Sequence, residues 1–399
     1  MTTGLLIALA FITASGPFAT DLYLPGMPEV AEDLNTSTSM TQLTLSAFMF
    51  GMALGQLFVG ILSDATGRLR PMRIGAIVAL VSAIACSIAP NIGLLIIARL
   101  FHGLGAGACL VIARAMVPDI TKGKGAARAY TVLMMIQGIA PVFAPVVGGI
   151  LADPIGWRGI FWVLTILVAA QLVIAYTLPE TLPPEQRGSF NLAELTKTFT
   201  SVMSSRAFCW YTFSFAVGFG GFFAYISASA FVIQDSWGFS PAVYSIIFAC
   251  NAGGLILAGI ISNRMLQTYS EYQITVAGLI IMLIAAVATT VFALTDASNI
   301  LRLIGLFFAV APLSLVVGNL TGLAVAEVPD NTGSASAVTG FFQFIMAAIA
   351  SPIVGLGTNE NFTMGICMLV AYACSLFAII IANKVSTQSA SHRTAGDFS

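Results

Sequence analysis

The sequence predicts an all-α membrane protein of twelve transmembrane helices, two six-helix pseudo-repeats with both termini in the cytoplasm. Three observations carry this. Of 399 residues, 58% are apolar and only 8% charged, where a soluble chain carries roughly a quarter, so most of the outer surface must face something other than water. The apolar residues fall into twelve runs: 4–28, 38–62, 72–90, 93–117, 126–150, 159–178, 207–233, 242–262, 273–294, 298–323, 333–356 and 362–383. Each is long enough to cross roughly 30 Å of hydrocarbon. The basic residues are also sorted by side. Arg68, Arg70, Arg73, Lys122, Lys124, Arg128, Arg187, Lys197, Arg206, Arg264, Lys384 and Arg393 fall on one side, Arg158 and Arg302 on the other. An excess of Lys and Arg marks the cytoplasmic side.

A net charge of −1 argues against a nucleic-acid partner. The six cysteines, at 86, 109, 209, 250, 367 and 374, are scattered through apolar runs without a C-x-x-C pair; they read as packing residues, not as a disulfide or metal set. Residues 1–25 lack a basic n-region and a small-residue cleavage site, so they read as the first span and not as a signal peptide. No phosphate-binding G-x-x-x-x-G-K-[ST] is present, and no cofactor is implied. Any work done across the membrane must draw on a gradient. Nor do the spans cluster catalytic or metal-ligand residues, so an enzyme is not expected.

The first span contains Ala19-Thr-Asp-Leu-Tyr-Leu-Pro25, and Asp21 is the one acidic residue placed inside a span. It lies about seven residues, on the order of 10 Å, below the outer face. The second span runs into Gly60-Ile-Leu-Ser-Asp-Ala-Thr-Gly-Arg68. There Gly60 permits close helix approach, and Asp64 can cap a helix or pair with an arginine. Arg114, Asp119 and Arg128 are the candidate partners, forming a latch with Gly67 and Arg68 that would hold one conformational state.

The fourth span carries Arg99-Leu-Phe-His-Gly-Leu-Gly-Ala-Gly107. An arginine within a span is costly and marks a functional site by default. Its depth matches that of Asp21, so the two are expected to form a proton- and substrate-coupling pair. The fifth span holds Gly138-Ile-Ala-Pro141-Val-Phe-Ala-Pro145-Val-Val-Gly148-Gly149, which favours kinks and close packing. Residues 179–206, with Pro179, Pro183 and Pro184, break the pattern as a cytoplasmic linker. They leave an N-terminal bundle over 1–178, a C-terminal bundle over 207–384 and a flexible tail over 385–399. Gly55–Asp64 aligns without gaps with Gly254–Asn263, as a parallel repeat with a cavity at its interface requires. Polar and aromatic residues expected to line that cavity are Tyr23, Gln42, His102, Gln137, Phe223, Asn251, Asn319 and Gln343.

Several of these stretches resemble a known family. The loop G-x-L-S-D-x-x-G-R resembles the signature between the second and third helices of major facilitator transporters, although Ala65 stands where many members carry a basic residue. Arg99-x-x-His102-Gly is similar to that family's R-x-x-Q-G-x-G. The run through Ala144, Pro145, Gly148 and Gly149 resembles the antiporter motif of drug:proton exchangers, with Ala144 in place of glycine. Together with Asp21-Leu-Tyr-Leu-Pro25, Gly156-Trp-Arg-Gly-Ile-Phe-Trp162, Leu178-Pro-Glu-Thr181 and Gly333-Ser-Ala-Ser-Ala337, the whole chain looks like the Bcr/CflA branch of drug:proton antiporters. The resemblance implies a monomeric exporter in the bacterial inner membrane that exchanges small lipophilic drugs for protons. The alternative is a proton-coupled or facilitative exporter of a polar metabolite, such as a sugar or amino acid, on the same fold.

Overall fold

With no water to satisfy N–H and C=O groups in hydrocarbon, an apolar chain closes its hydrogen bonds within helices. The computed structural model describes residues 2–121, 124–187, 199–295, 297–357 and 359–396, and among them there is no strand. α1 spans Thr3–Asp21, its first turn capped by the Thr2 hydroxyl. A 3-10 turn at Leu24–Gly26 leads to the short α2, Met27–Asp33. α3 is Thr38–Leu54, capped by Ser37, and passes through a wider turn at Gly55–Val59 into α4, Gly60–Thr66. α5 is Leu69–Ser87, α6 Ile92–Ile120 and α7 Lys124–Thr177. Beyond the linker come α8 Arg206–Phe231, α9 Pro241–Met265 and α10 Glu271–Leu294, the last opened by a capping box of Ser270 and Gln273. The chain continues through α11 Asn299–Val310, α12 Leu313–Ala326, α13 Thr332–Val354 and α14 Glu360–Gly396.

Eleven helical stretches among the described residues are long and apolar enough to cross a membrane. One of them, Met135–Thr177, has 43 residues and would extend about 65 Å if continuous, twice the hydrocarbon thickness. The backbone leaves the helix at Gly156, with φ 65° and ψ 179°, a region open to glycine alone. That break falls between the fifth and sixth runs read from the sequence. Residues 188–198 of the expected linker lie outside the described residues, while α14 runs past residue 384 to Gly396.

The chain forms two compact units: Met1–Phe190 with Ile226–Cys250, and Asn191–Tyr225 with Asn251–Ser399. Within the first, α3 and α6 cross at backbone contact. A Cβ on Gly51 would stand 2.0 Å from the Leu100 carbonyl oxygen, and one on Gly103 would stand 2.0 Å from that of Phe48. Small residues four apart are what let membrane helices approach this closely. Leu9, Ile12, Met72, Cys109, Ile112, Met116, Leu133 and Leu178 fill the core between α1, α5, α6 and α7. In the second unit, Ser214 and Ser375 each donate a hydroxyl to the other's carbonyl at 2.8 Å, joining α8 to α14. Large apolar side chains such as Ile74, Val81, Ile166, Ile284 and Phe377 are more than 60% exposed, as a lipid-facing surface requires.

Candidate functional site

Arg99, in the third turn of α6, is fully enclosed. Its Nη1 donates to the Ala19 carbonyl at 3.0 Å, and its guanidinium lies 4.2 Å from the centre of the Phe48 ring, 5.4 Å from Tyr23 and 5.7 Å from Phe161. Asp21, the last residue of α1, is 5% exposed. The sequence suggests that these two charges pair; in this structure, among the described residues, no ion pair joins Asp21 to a base. The physical reason lies in the helix end. Ala19 belongs to the last turn of α1, where carbonyls lack intrahelical partners and carry the negative end of the helix dipole. Arg99 caps that end and rests on aromatic faces. His102, one turn along, is buried edge-on against Phe48 at 5.3 Å. Tyr23 shares a hydrogen bond of 3.2 Å with Thr44, and Gln42 is buried on α3. The structure therefore gathers Asp21, Tyr23, Gln42, Arg99 and His102 inside the first unit, with Phe48 added.

The glycine pair of α7 bears on the same place. A Cβ on Gly148 would lie 2.2 Å from the Leu22 carbonyl oxygen, next in chain to Asp21, and one on Gly149 would lie 2.0 Å from the Ser245 hydroxyl. Ala144 and Pro145 are buried and Pro141 is half-buried, while the surroundings of Gly138 lie outside the described residues. Gln234 donates to the Pro25 carbonyl at 3.1 Å, so the segment following Asp21 is held from two directions. On its far side, Glu29 accepts the Trp157 backbone N–H at 2.8 Å, and Asp33 accepts the Trp157 indole N–H at 3.1 Å and pairs with Arg158.

The loop after α4 is organised by Arg68. Its Nε and Nη2 reach the two carboxylate oxygens of Asp119 at 2.8 and 3.3 Å, while Nη1 bonds Ser63 at 2.9 Å and pairs with Asp64. Burial works against this charge, but Asp119 and Asp64 outweigh it and raise the Arg68 pKa. Gly67 turns the chain at φ 92°, and Gly60 packs on Val111. Of the three expected partners of Asp64, Asp119 joins through Arg68. Arg114 does not, because it reaches up α7 to donate to Gln137 at 2.8 Å. The side chain of Arg128 lies outside the described residues. The sequence reading missed Glu180, whose carboxylate accepts the N–H groups of Arg68 and Leu69 at 2.9 and 3.2 Å, capping α5 from a distance. Thr181 adds a bond of 2.9 Å to Asp119. The signal was Leu178-Pro-Glu-Thr181 itself, two residues of which close the network.

The model of the Major Facilitator Superfamily matches residues 9–351 of the chain. The chain belongs to that superfamily. It is 35% identical to a Bacillus subtilis (strain 168) protein described as the uncharacterized MFS-type transporter YdgK, over 91% of this chain and 92% of the relative. It is 27% identical to the bicyclomycin resistance protein homolog of Haemophilus influenzae (93% and 95%), and 26% to the multidrug resistance protein MdtL of Escherichia coli O81 (92% and 91%). Its fold matches the nucleoside transporter NupG, with a TM-score of 0.76 at 12% identity over 96% and 98% of the two chains. It also matches a D-xylose-proton symporter, at 0.74 and 15% over 94% and 97%. This is a multi-pass membrane protein of a transporter superfamily.

The remaining cavity candidates of this facilitator-type chain separate. Asn251 donates to the Tyr225 hydroxyl at 2.9 Å, and Phe223, buried on α8, stacks on Phe219. Asn319 instead ties α12 to α9, donating to Ser262 at 3.1 Å and to its own helix at Leu315. Gln137 is engaged by Arg114. Gln343 is half-buried on α13.

Proposed function

We propose that this protein exports small lipophilic drugs in exchange for protons by alternating access, as a monomer of twelve spans in a bacterial cytoplasmic membrane, both termini inside. In this reading 1–178 and 207–384 are the moving bundles and 179–206 links them; the break at Gly156 supports counting α7 as two spans. The observation that carries the proposal is the burial of Asp21 in α1 with no basic partner among the described residues. A bare carboxylate in low dielectric is expensive, so this arrangement suits the neutral acid, and opening to water on either side suits proton loss. The names of the bicyclomycin and multidrug resistance relatives support drugs as the cargo.

A proton entering from outside neutralises Asp21. Drug arriving from the cytoplasm or inner leaflet displaces it and drives the return. Gly148 on Leu22 and Gln234 on Pro25 hold the segment that follows Asp21, so a shift of α7 or of the turn after α8 is felt at the carboxyl. One acid exchanges one proton, which makes export of a monovalent cation electroneutral and export of a neutral drug electrogenic. The test is proton release from purified protein on adding chloramphenicol or tetraphenylphosphonium. Release that disappears in Asp21→Asn is expected; equal release from the variant sinks the assignment to Asp21.

A further inference from the structure

We infer that Arg99 and His102 form a subsite for a group bearing two acceptor oxygens on one atom, a carboxylate, nitro or sulfonyl group, on the transported molecule. This rests on the export reading above and names the chemistry that the reading leaves open. Arg99 spends one nitrogen on the Ala19 carbonyl; its Nε and Nη2 have no hydrogen-bond partner among the described residues, although the side chain is wholly buried. These two groups share one edge of the guanidinium and point the same way, a fork matched to paired oxygens. The protein shows what that edge takes. On Arg68 the same two nitrogens hold both oxygens of Asp119, at 2.8 and 3.3 Å.

His102 supports the assignment independently. It is 1% exposed, and its Nδ1 likewise lacks a partner among the described residues. Residues three apart share a helix face, and Phe48 touches both, under the Arg99 cation at 4.2 Å and against the His102 edge at 5.3 Å. The subsite thus offers a forked cation, a ring nitrogen and an aromatic floor, with Tyr23 and Phe161 beside the cation. A buried cation with no ion-pair partner among the described residues repels a lipophilic ammonium and favours neutral or anionic acceptors. Because both groups are sealed in this structure, the ligand reaches them only after α1 or α3 parts from α6, and binding is slow for its affinity.

The experiment uses the purified full chain and four arenes of equal size: 4-ethylbenzoate, 4-ethylbenzenesulfonate, 4-ethylnitrobenzene and 4-ethylphenyltrimethylammonium. Binding is read by calorimetry on native protein, Arg99→Lys and His102→Leu, with folding checked by size exclusion and thermal unfolding. The two-oxygen arenes should bind the native protein in preference to the ammonium. Arg99→Lys should weaken them roughly ten- to hundredfold, the worth of charge-assisted hydrogen bonds, and His102→Leu by less. Should Arg99→Lys not fold, the loss in His102→Leu alone decides. Unchanged affinity in the variants, preference for the ammonium, or no binding of any arene overturns the subsite. Ligand-linked proton release and its loss in Asp21→Asn are scored separately, so the export reading stands or falls on its own.

Discussion

Arg68 grips Asp119 through both Nε and Nη2, joining the start of α5 to the end of α6. The two side chains are 7% and 13% exposed, so the pair is shielded from the screening that weakens surface ion pairs. Asp64, which Arg68 also holds, is 63% exposed. Asp119→Asn should therefore cost about 2 kcal/mol, against less than about 1 kcal/mol for Asp64→Asn. Thermal unfolding in detergent compares them; equal losses would mean that the loop, not the buried pair, holds this corner.

Glu180 gives the same corner a pH dependence. Burial raises its carboxyl, but the N–H groups of Arg68, Leu182, Leu69 and Thr181 outweigh that and hold it below its ordinary 4.5. A lowered carboxyl pKa contributes stability that is present above the unfolded value and lost as pH falls through the folded one. Native protein should lose stability below about pH 4.5, and Glu180→Gln should be less stable at neutral pH with a flatter acid limb. Unfolding midpoints from pH 3 to 7 test this.

The division between what the sequence discloses and what it hides follows from the kind of interaction. Apolar runs, sorted basic residues and Gly-rich helix faces are local and periodic, so membrane-spanning helices are legible, as is the charged loop that holds Asp64 and Arg68. Partner choice is not local. That Arg99 meets the Ala19 carbonyl and not Asp21, that Arg114 turns to Gln137, and that Glu180 caps α5 from more than a hundred residues away all depend on tertiary placement. The α7 break at Gly156 was visible as an interval between runs, but its anchoring by Glu29 and Asp33 was not.

Asn319 and Asn251 separate packing from cargo contact. Asn319 spends its amide on Ser262 and Leu315, so Asn319→Ala should cost about 1 kcal/mol of stability and leave drug affinity within twofold, about 0.4 kcal/mol. Asn251, held by the Tyr225 hydroxyl among the aromatic rings of α8, should show the opposite balance. Paired unfolding and binding curves decide, and a large affinity loss in Asn319→Ala would return that residue to the cavity.

Gly148 tests whether helix contact governs coupling at Asp21. A methyl group there would sit 2.2 Å from the Leu22 carbonyl oxygen, a backbone atom that no rotamer change can move, so α7 and α1 must separate. Such overpacking costs typically 1–3 kcal/mol, and it displaces the end of the helix carrying Asp21. Gly149→Ala meets the Ser245 hydroxyl at 2.0 Å as well as the Pro241 carbonyl at 2.8 Å, and removing that side chain relieves the nearer clash. Gly148→Ala should thus lose drug-triggered proton release while remaining folded, and Ser245→Gly should not restore it. Gly149→Ala should be partly rescued by Ser245→Gly. Rescue of both by the same change would place the coupling at the α7–α9 contact and remove Leu22 from the argument.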